Sequence, residues 1–463
     1  MKKIAVLFIL LFCNVALAQT ILASTNITLK KPASSQQFIS FTNKNNTQIV
    51  TVAADKETIL ASRYNSAVFF TDSLLINRPE KKFEFITGYS FNESQNPTLY
   101  YSTEDYKSIQ GITVDFANKT TTNTFFTLAT IDKEIFVSSF TENNIFYILT
   151  AIESQSELKL YVFQNDLLSV RTLNLGNFEW LYDNKKTTLG DIIAINPIVK
   201  VDNDLPNTIF TAVAKSKLYV VDNQILLTFD HSPGQTQSYS IDLSTYEIKE
   251  NKIQQPTLQK TGVSNSFYID KKLFQLKLND HEMVFTVKDF PSGTLVKTFT
   301  AAEKDTITFK NSPLFSQRGN QKSVILKNTQ KFLDKASRSD VGLAVYKQKK
   351  HYLVTVGGTM FVASTGGLLL GIAGIIAEGD ASALDYDQVV QTVFFDSVFD
   401  TNFNSKQLSQ LPLAADGIYS FLEFTKDAKG TTVFKFKDYY ILSYYDPKTK
   451  LFIMRKFQDG IWY

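Results

Sequence analysis

Cysteine is all but missing from this sequence: Cys13 is the only one among 463 residues. It sits where Lys2 and Lys3 precede an uncharged, mostly apolar run over 4–12 and then Ala16-Leu17-Ala18. A positive n-region, an h-region and an A-x-A site are the layout of a secretory signal peptide. Residues 1–18 are therefore expected to be removed, leaving Gln19 first in the mature chain. The run is too short to stay as a membrane span. The bulky Phe12 before Cys13 disfavours lipidation. A mature chain without a thiol excludes disulfides, cysteine-ligated zinc and cysteine nucleophiles together.

Histidine is nearly as scarce. His231, His281 and His351 stand far apart, none with a second ligand at metal-binding spacing. There is no G-x-S-x-G elbow, phosphate-binding loop, H-E-x-x-H or dinucleotide fingerprint. Asp202-x-Asp204 lacks the glycine and closing glutamate of a calcium loop. No cofactor or metal is expected, and no residue is singled out as catalytic. Asp230-His231 is the one acid–imidazole neighbour at a strand end, but adjacent strand residues point to opposite faces. Only six arginines are present, so bidentate clamps for phosphate or carboxylate are few. With 48 basic against 45 acidic residues, the chain has no nucleic-acid footprint.

What is present is aromatic: 38 Phe and 21 Tyr, against 11 Pro and 19 Gly. Such residues suit pleated surfaces and lean towards β structure. Glu157-Leu158-Lys159-Leu160-Tyr161-Val162 alternates as in a sheet with one wet side, and Thr432 to Lys437 does the same. Asp222-Asn223, Pro291-Ser292-Gly293 and Asp446-Pro447-Lys448 supply hairpin turns. Helices are few and short, with 328–337 and 414–424 the candidates.

Hairpins recur with an aromatic strand, an acidic turn and a second alternating strand. Turn acids at 105, 166, 242, 289, 396 and 446 are spaced near one or two units of about 50 residues, the size of a propeller blade. The expected fold is all-β: a β-propeller-like domain over 19–463 with about six to eight four-stranded blades, the alternative being stacked β-sandwich domains. A final hairpin at 440–457, completed by a strand from the other terminus, fits ring closure. The polar stretch 311–340 reads as a loop or a degenerate blade.

One stretch breaks the pattern. No Asp, Glu, Lys or Arg occurs between Lys350 and Glu378, and 360–377 reads MFVASTGGLLLGIAGIIA with Gly367 and Gly371 at GxxxG spacing. Three readings compete for this apolar, Gly-rich insertion at about 352–379. It forms two buried strands about a Gly366-Gly367 turn, or an exposed hairpin that docks on a membrane or partner, or a membrane-spanning helix. The docking residues would be Met360, Phe361, Val362, Leu368, Leu369, Leu370, Ile372, Ile375 and Ile376.

The segment ending Ala16-Leu17-Ala18-Gln19, the lysine and asparagine bias and the Phe/Tyr-rich strands resemble the exported proteins of one group of Gram-negative bacteria. In the C-terminal part, Tyr352-Leu353-Val354-Thr355-Val356-Gly357-Gly358 and Tyr439-Tyr440-Ile441-Leu442-Ser443-Tyr444-Tyr445-Asp446 resemble uncharacterised secreted β-propeller-like proteins of that group. The resemblance implies export and a β fold and carries no catalytic motif. Asp72-Ser73-Leu74, Asp305-Thr306-Ile307 and Asp396-Ser397-Val398 resemble the group's O-glycan acceptor signal, at about the frequency composition alone would give.

The leading expectation is an exported, non-enzymatic binding or scaffold protein of the cell envelope, periplasmic or outer-membrane associated. Its loops would contact a protein or glycan, with membrane association through 360–377. The alternatives are a carbohydrate-active propeller enzyme with paired axial carboxylates and a membrane-anchored envelope component.

Overall fold

The computed structural model describes residues 20–30, 35–128, 133–182, 185–363, 388–406 and 412–461. The expected signal peptide lies outside them. The hairpin signals act locally: Asp222 and Asn223, for instance, both take positive φ (51° and 61°), as a two-residue turn between strands requires. The chain meanders through antiparallel strands that collect into seven large sheets, with one further two-stranded ribbon.

Blades 1 to 5 cover 37–77, 85–127, 134–174, 199–254 and 263–302. Blade 6 is built over 315–400, and blade 7 joins 429–457 to the strand Ile21–Asn26. Hydrophobic cores lie between consecutive sheets rather than inside separate sandwiches. One cluster joins blades 1 and 2 through Val52, Ile59, Leu99 and Ile112. Others join blades 2 and 3, 3 and 4, and 4 through 6.

The ring closes at blade 7. Ile21–Asn26 pairs with Leu451–Phe457 as that blade's outermost strand. Its innermost strand, Lys429–Phe436, meets Gln37–Thr42 of blade 1. Across this junction Phe38 stacks on Tyr445 at 5.3 Å, and Ser443 donates to the Ser40 hydroxyl at 2.8 Å. A closed ring of seven sheets is a β-propeller and rules out stacked sandwiches; closure packs the face of the last blade on that of the first, so no terminal blade is left with an uncovered apolar face.

Three expectations change. The Glu157–Gln164 strand has no wet side, because blades flank it on both faces. Leu158 and Leu160 pack towards blade 4, and Tyr161 and Phe163 towards blade 2. Lys159 survives there by pairing with Glu134 at 2.8 Å. Second, the acids 166, 242 and 289 do occupy equivalent turns, but 105 and 446 lie at the opposite end of the ring and 396 lies within a strand. Third, 311–340 is neither loop nor blade. Its strand Phe315–Arg318 pairs with Gln388–Asp400 and serves as an outer strand of blade 6, with Val324–Ile325 beyond it.

Among the described residues, four short helices fill gaps between blades: α1 (Leu189–Ile195), α2 (Ile209–Ala212), α3 (Thr329–Ala336) and α4 (Ala414–Phe424). The last two match the stretches singled out in the sequence. Asn328 caps α3 by accepting the Lys331 N–H at 3.1 Å, and Phe332, Leu333 and Ala336 bury its other face.

Candidate functional site

Antiparallel strand order gives the ring two unlike ends. Turns after the first and third strands of a blade gather at one end; turns after the second strand and the links between blades gather at the other. The first end is tight. Asp115, Asp242 and Asp400 each accept two backbone N–H groups from the residues that follow them, at 2.7–3.0 Å, locking short polar turns. The second end carries the long links, including 175–198, 303–314 and the chain between Ala363 and Gln388. Binding loops belong at that end.

The axis between the ends is filled by the chain itself. Val199–Lys200 adds a parallel strand beside Lys217–Leu218, and the following residues cross the ring. Asp202 accepts the N–H groups of Asp204 and Leu205 at 2.8 and 2.9 Å, which shapes the crossing loop. Lys435 of blade 7 pairs with the Asp204 carboxylate at 3.1 Å, and Tyr440 donates to the Asp204 carbonyl at 2.6 Å. The segment then returns as α2 against blade 6, where Gly342 leaves room: a Cβ there would lie 2.6 Å from the Ala212 carbonyl oxygen. Asn265 of blade 5 donates to the Val213 and Val341 carbonyls at 2.8 and 2.7 Å.

Four carboxylates gather where this segment meets the tight end: Glu142, Asp202, Asp204 and Asp222. Burial holds the Glu142 carboxyl above its ordinary range, with Asp222 and Asp204 adding to the effect and the Asn223 N–H and Lys44 opposing it. Burial raises Asp202 as well. This is the placement an axial acid pair would need. Yet Asp202 holds the turn of the crossing loop and Asp204 is paired to Lys435, so both are engaged in seating the chain.

The seam between blades 4 and 5 holds a second polar cluster that the sequence did not reveal. Lys217 and Asp230 are both fully buried, 3.8 Å apart. Lys217 also donates to the Ala214 carbonyl and to Asn265 Oδ1, the latter at 2.6 Å. Asp230 accepts from Thr236, Gln255 and both the N–H and hydroxyl of Ser266 at 2.7–3.1 Å. Burial lowers the Lys217 pKa to about 8. The only cue was a lysine two residues before Tyr219 in a strand, which reads equally well as solvent-facing.

His231 points the other way. It shares a hydrogen bond with the Ser216 hydroxyl at 2.9 Å, and burial lowers its pKa to about 4, so the ring is neutral near pH 7. Asp230 and His231 therefore act on opposite faces, as strand geometry requires. His231 borders a small cleft with Phe229, Gln237, Lys252 and Trp180. The indole does not offer a stacking face: Trp180 is 3% exposed, stacked on Tyr239 at 4.9 Å, and donates to the Leu175 carbonyl at 3.1 Å. It anchors the 175–198 link.

Of the expected docking residues, Met360, Phe361 and Val362 belong to the strand His351–Ala363, and Phe361 is 58% exposed. Leu368, Leu369, Leu370, Ile372, Ile375 and Ile376 lie outside the described residues, as do Gly366 and Gly367. The strand paired with His351–Ala363 is Gln388–Asp400, so Tyr352 to Ala363 are regular blade and not insertion. The two sheet neighbours of His351–Ala363 are Asp340–Gln348 and Gln388–Asp400, and the Gly366-Gly367 turn of the two-strand reading lies outside the described residues. Among the acceptor-like triplets, Thr306 is exposed whereas Ser397 is buried. Among the described residues, no helix is long and apolar enough to cross a membrane, and no group of three His, Cys, Asp or Glu side chains could hold a metal.

No protein-family model matches the sequence, and no curated protein matches it. Solved structures with a similar fold include dipeptidyl peptidase 4 of Porphyromonas gingivalis (TM-score 0.32, 11% identity, 73% of this chain and 45% of that one). Others are the β-propeller domain of Nup133 from Vanderwaltozyma polyspora (0.32, 9%, 94% and 100%) and a DUF4221-family member from Bacteroides vulgatus (0.31, 11%, 82% and 94%). The chain spans about half the length of the peptidases it resembles. Likeness at this level describes the fold and assigns no activity.

Proposed function

We propose that this chain is an exported, non-enzymatic binding or scaffold protein of the cell envelope, acting through the loop end of the propeller on a protein or glycan partner. The observation that carries the reading is the division of labour between the ends. One end carries short hydrogen-bonded turns, the axis is occupied by 199–214, and the links 175–198 and 303–314 and the chain after Ala363 leave from the other end, whereas the 401–428 link starts from the tight end. Two of the four carboxylates at the axis, Asp202 and Asp204, are engaged in holding that segment, which weighs against the carbohydrate-active alternative.

The apolar chain after Met360 is the proposed docking element. Ala363 and Gln388 are register partners, so the 24 residues between them leave and return at one place. Membrane association would run through 360–377.

The test is capture from envelope extracts by the full chain and by a variant in which 364–387 is replaced by Asn-Gly. Partner retained by the first and lost by the second supports the reading; equal capture removes the docking role. N-terminal sequencing of the exported protein should begin at Gln19, and a retained Met1 would refute cleavage.

A further inference from the structure

Blades 6 and 7 meet over a small apolar core. Among the described residues it holds Tyr346, Leu353, Val398 and Leu413, with Ala415 packed against it. Polar contacts of the turn after Leu451–Phe457 add to this seam. The Gly460 N–H and the Gln348 side-chain amide both donate to the Pro412 carbonyl, at 2.8 and 3.2 Å. Asp459 accepts the Ala414 N–H at the start of α4, at 2.8 Å.

The other Asp459 oxygen opens a row of close contacts. It lies 2.6 Å from the Tyr346 hydroxyl of blade 6, which lies 2.5 Å from the Tyr440 hydroxyl of blade 7. Tyr440 in turn lies 2.6 Å from the Asp204 carbonyl oxygen of the axial segment. Oxygens approach this closely with a hydrogen between them. Three contacts therefore need three hydrogens, and the two phenols supply two. Neither phenol ionises near neutral pH, since burial pushes Tyr440 up to about 12 and raises Tyr346 as well. A backbone carbonyl only accepts, so the third hydrogen has one source left.

We infer that Asp459, as the neutral acid, completes a latch running from Asp459 through Tyr346 and Tyr440 to the Asp204 carbonyl, and that its ionisation leaves one contact unbridged. Each hydroxyl then donates to the next. Blade 6, blade 7, α4 and the axial segment are held by one proton-linked chain, which loosens as pH rises.

Charges around Asp459 act in both directions. The Ala414 N–H and Lys349 Nζ, which lies beside Gly460, favour the carboxylate. Asp416 accepts the neighbouring Leu413 N–H at 3.2 Å, and Asp202 and Asp204 lie across the two phenols; all three favour the acid. The latched form holds the extra proton, so its stability is present in acid and lost as pH rises.

The experiment compares melting temperatures of the full mature chain and Asp459→Asn from about pH 5 to about pH 8. The amide keeps an acceptor for Ala414 and carries a hydrogen at every pH. The variant should match the parent in acid and exceed it by about 1–3 °C at the upper pH. In a Tyr346→Phe background, which removes the relay, this pH-dependent gap should vanish. A variant less stable than the parent at the upper pH overturns the latch, because the ionised carboxylate is then the working acceptor. No gap at any pH overturns it too. A gap that persists in the Tyr346→Phe background assigns the effect to the α4 terminus and also overturns it.

Discussion

Lys217 Nζ lies 3.8 Å from Asp230 Oδ2 in the seam between blades 4 and 5, with neither side chain reached by solvent. The two partners are not equivalent. Asp230 also accepts four hydrogen bonds from Thr236, Gln255 and Ser266, joining both blades. Asp230→Ala strands a buried ammonium and those donors together, and should cost about 3–5 kcal/mol. Lys217→Met leaves Asp230 with its other donors and should cost clearly less. Chemical denaturation of both variants decides it; equal losses would mean that the ion pair, and not the carboxylate hub, holds the seam.

Acid should weaken the fold through His231. Its folded pKa is about 4, against the ordinary 6.5 of the unfolded chain, so between these values the unfolded chain binds the extra proton. Stability is then fully present above pH 6.5 and is lost as pH falls towards 4, by roughly 2–3 kcal/mol. Melting curves across this window should be flatter for His231→Gln than for the parent. An identical slope would assign the acid sensitivity to other groups.

Lys217 gives the opposite limb. Its pKa is lowered from 10.5 to about 8, so the unfolded chain again holds more protons between those values. Stability should rise as pH increases from 8 to 10.5, and Lys217→Met should remove that rise. A parent curve falling monotonically through this range, with Lys217→Met parallel to it, would contradict the burial argument.

Gly342 lets the axial segment approach the ring closely. Gly342→Ala sets a methyl 2.6 Å from the Ala212 carbonyl, where the obstacle is backbone and cannot swing aside. The expected loss is about 1–3 kcal/mol, with new protease sites opening in 199–214 first. Cleavage elsewhere, or none, would show that the segment adjusts in place.

Ring closure rests on Ile21–Asn26. Removing 20–27 should expose the edge of Leu451–Phe457 and the core around Ile49, Tyr64 and Phe452, giving an aggregating protein. Adding a peptide of residues 20–30 should restore a cooperative melt. A truncated chain that melts like the parent would mean that the final strand only decorates blade 7.

Much of this architecture was legible because it is local. Alternating strands, the Asp222-Asn223 turn and the helices at 328–337 and 414–424 depend on neighbours within a few residues. The all-β class and closure by a strand from the other terminus follow from those signals. The blade count followed only as a range, six to eight, in which the observed seven falls. Asn65, Asp115 and Asn165 keep a 50-residue step, but 175–214, 303–339 and 364–387 then lengthen it with insertions that resemble missing repeats.

What the tertiary structure decided is which faces are wet. Lys159 and Lys217 occupy polar positions of alternating strands, yet both are enclosed, because a propeller packs a second sheet against each face. Their partners are Glu134 and Asp230, 25 and 13 residues away along the chain. The axial segment is held by Lys435 and Asn265, the first more than 200 residues distant. Sequence by itself determined the strands and turns, since hydrophobic period and turn chemistry act over a few residues. Only the closed ring brought together these charges, since burial is a property of the neighbours a strand acquires.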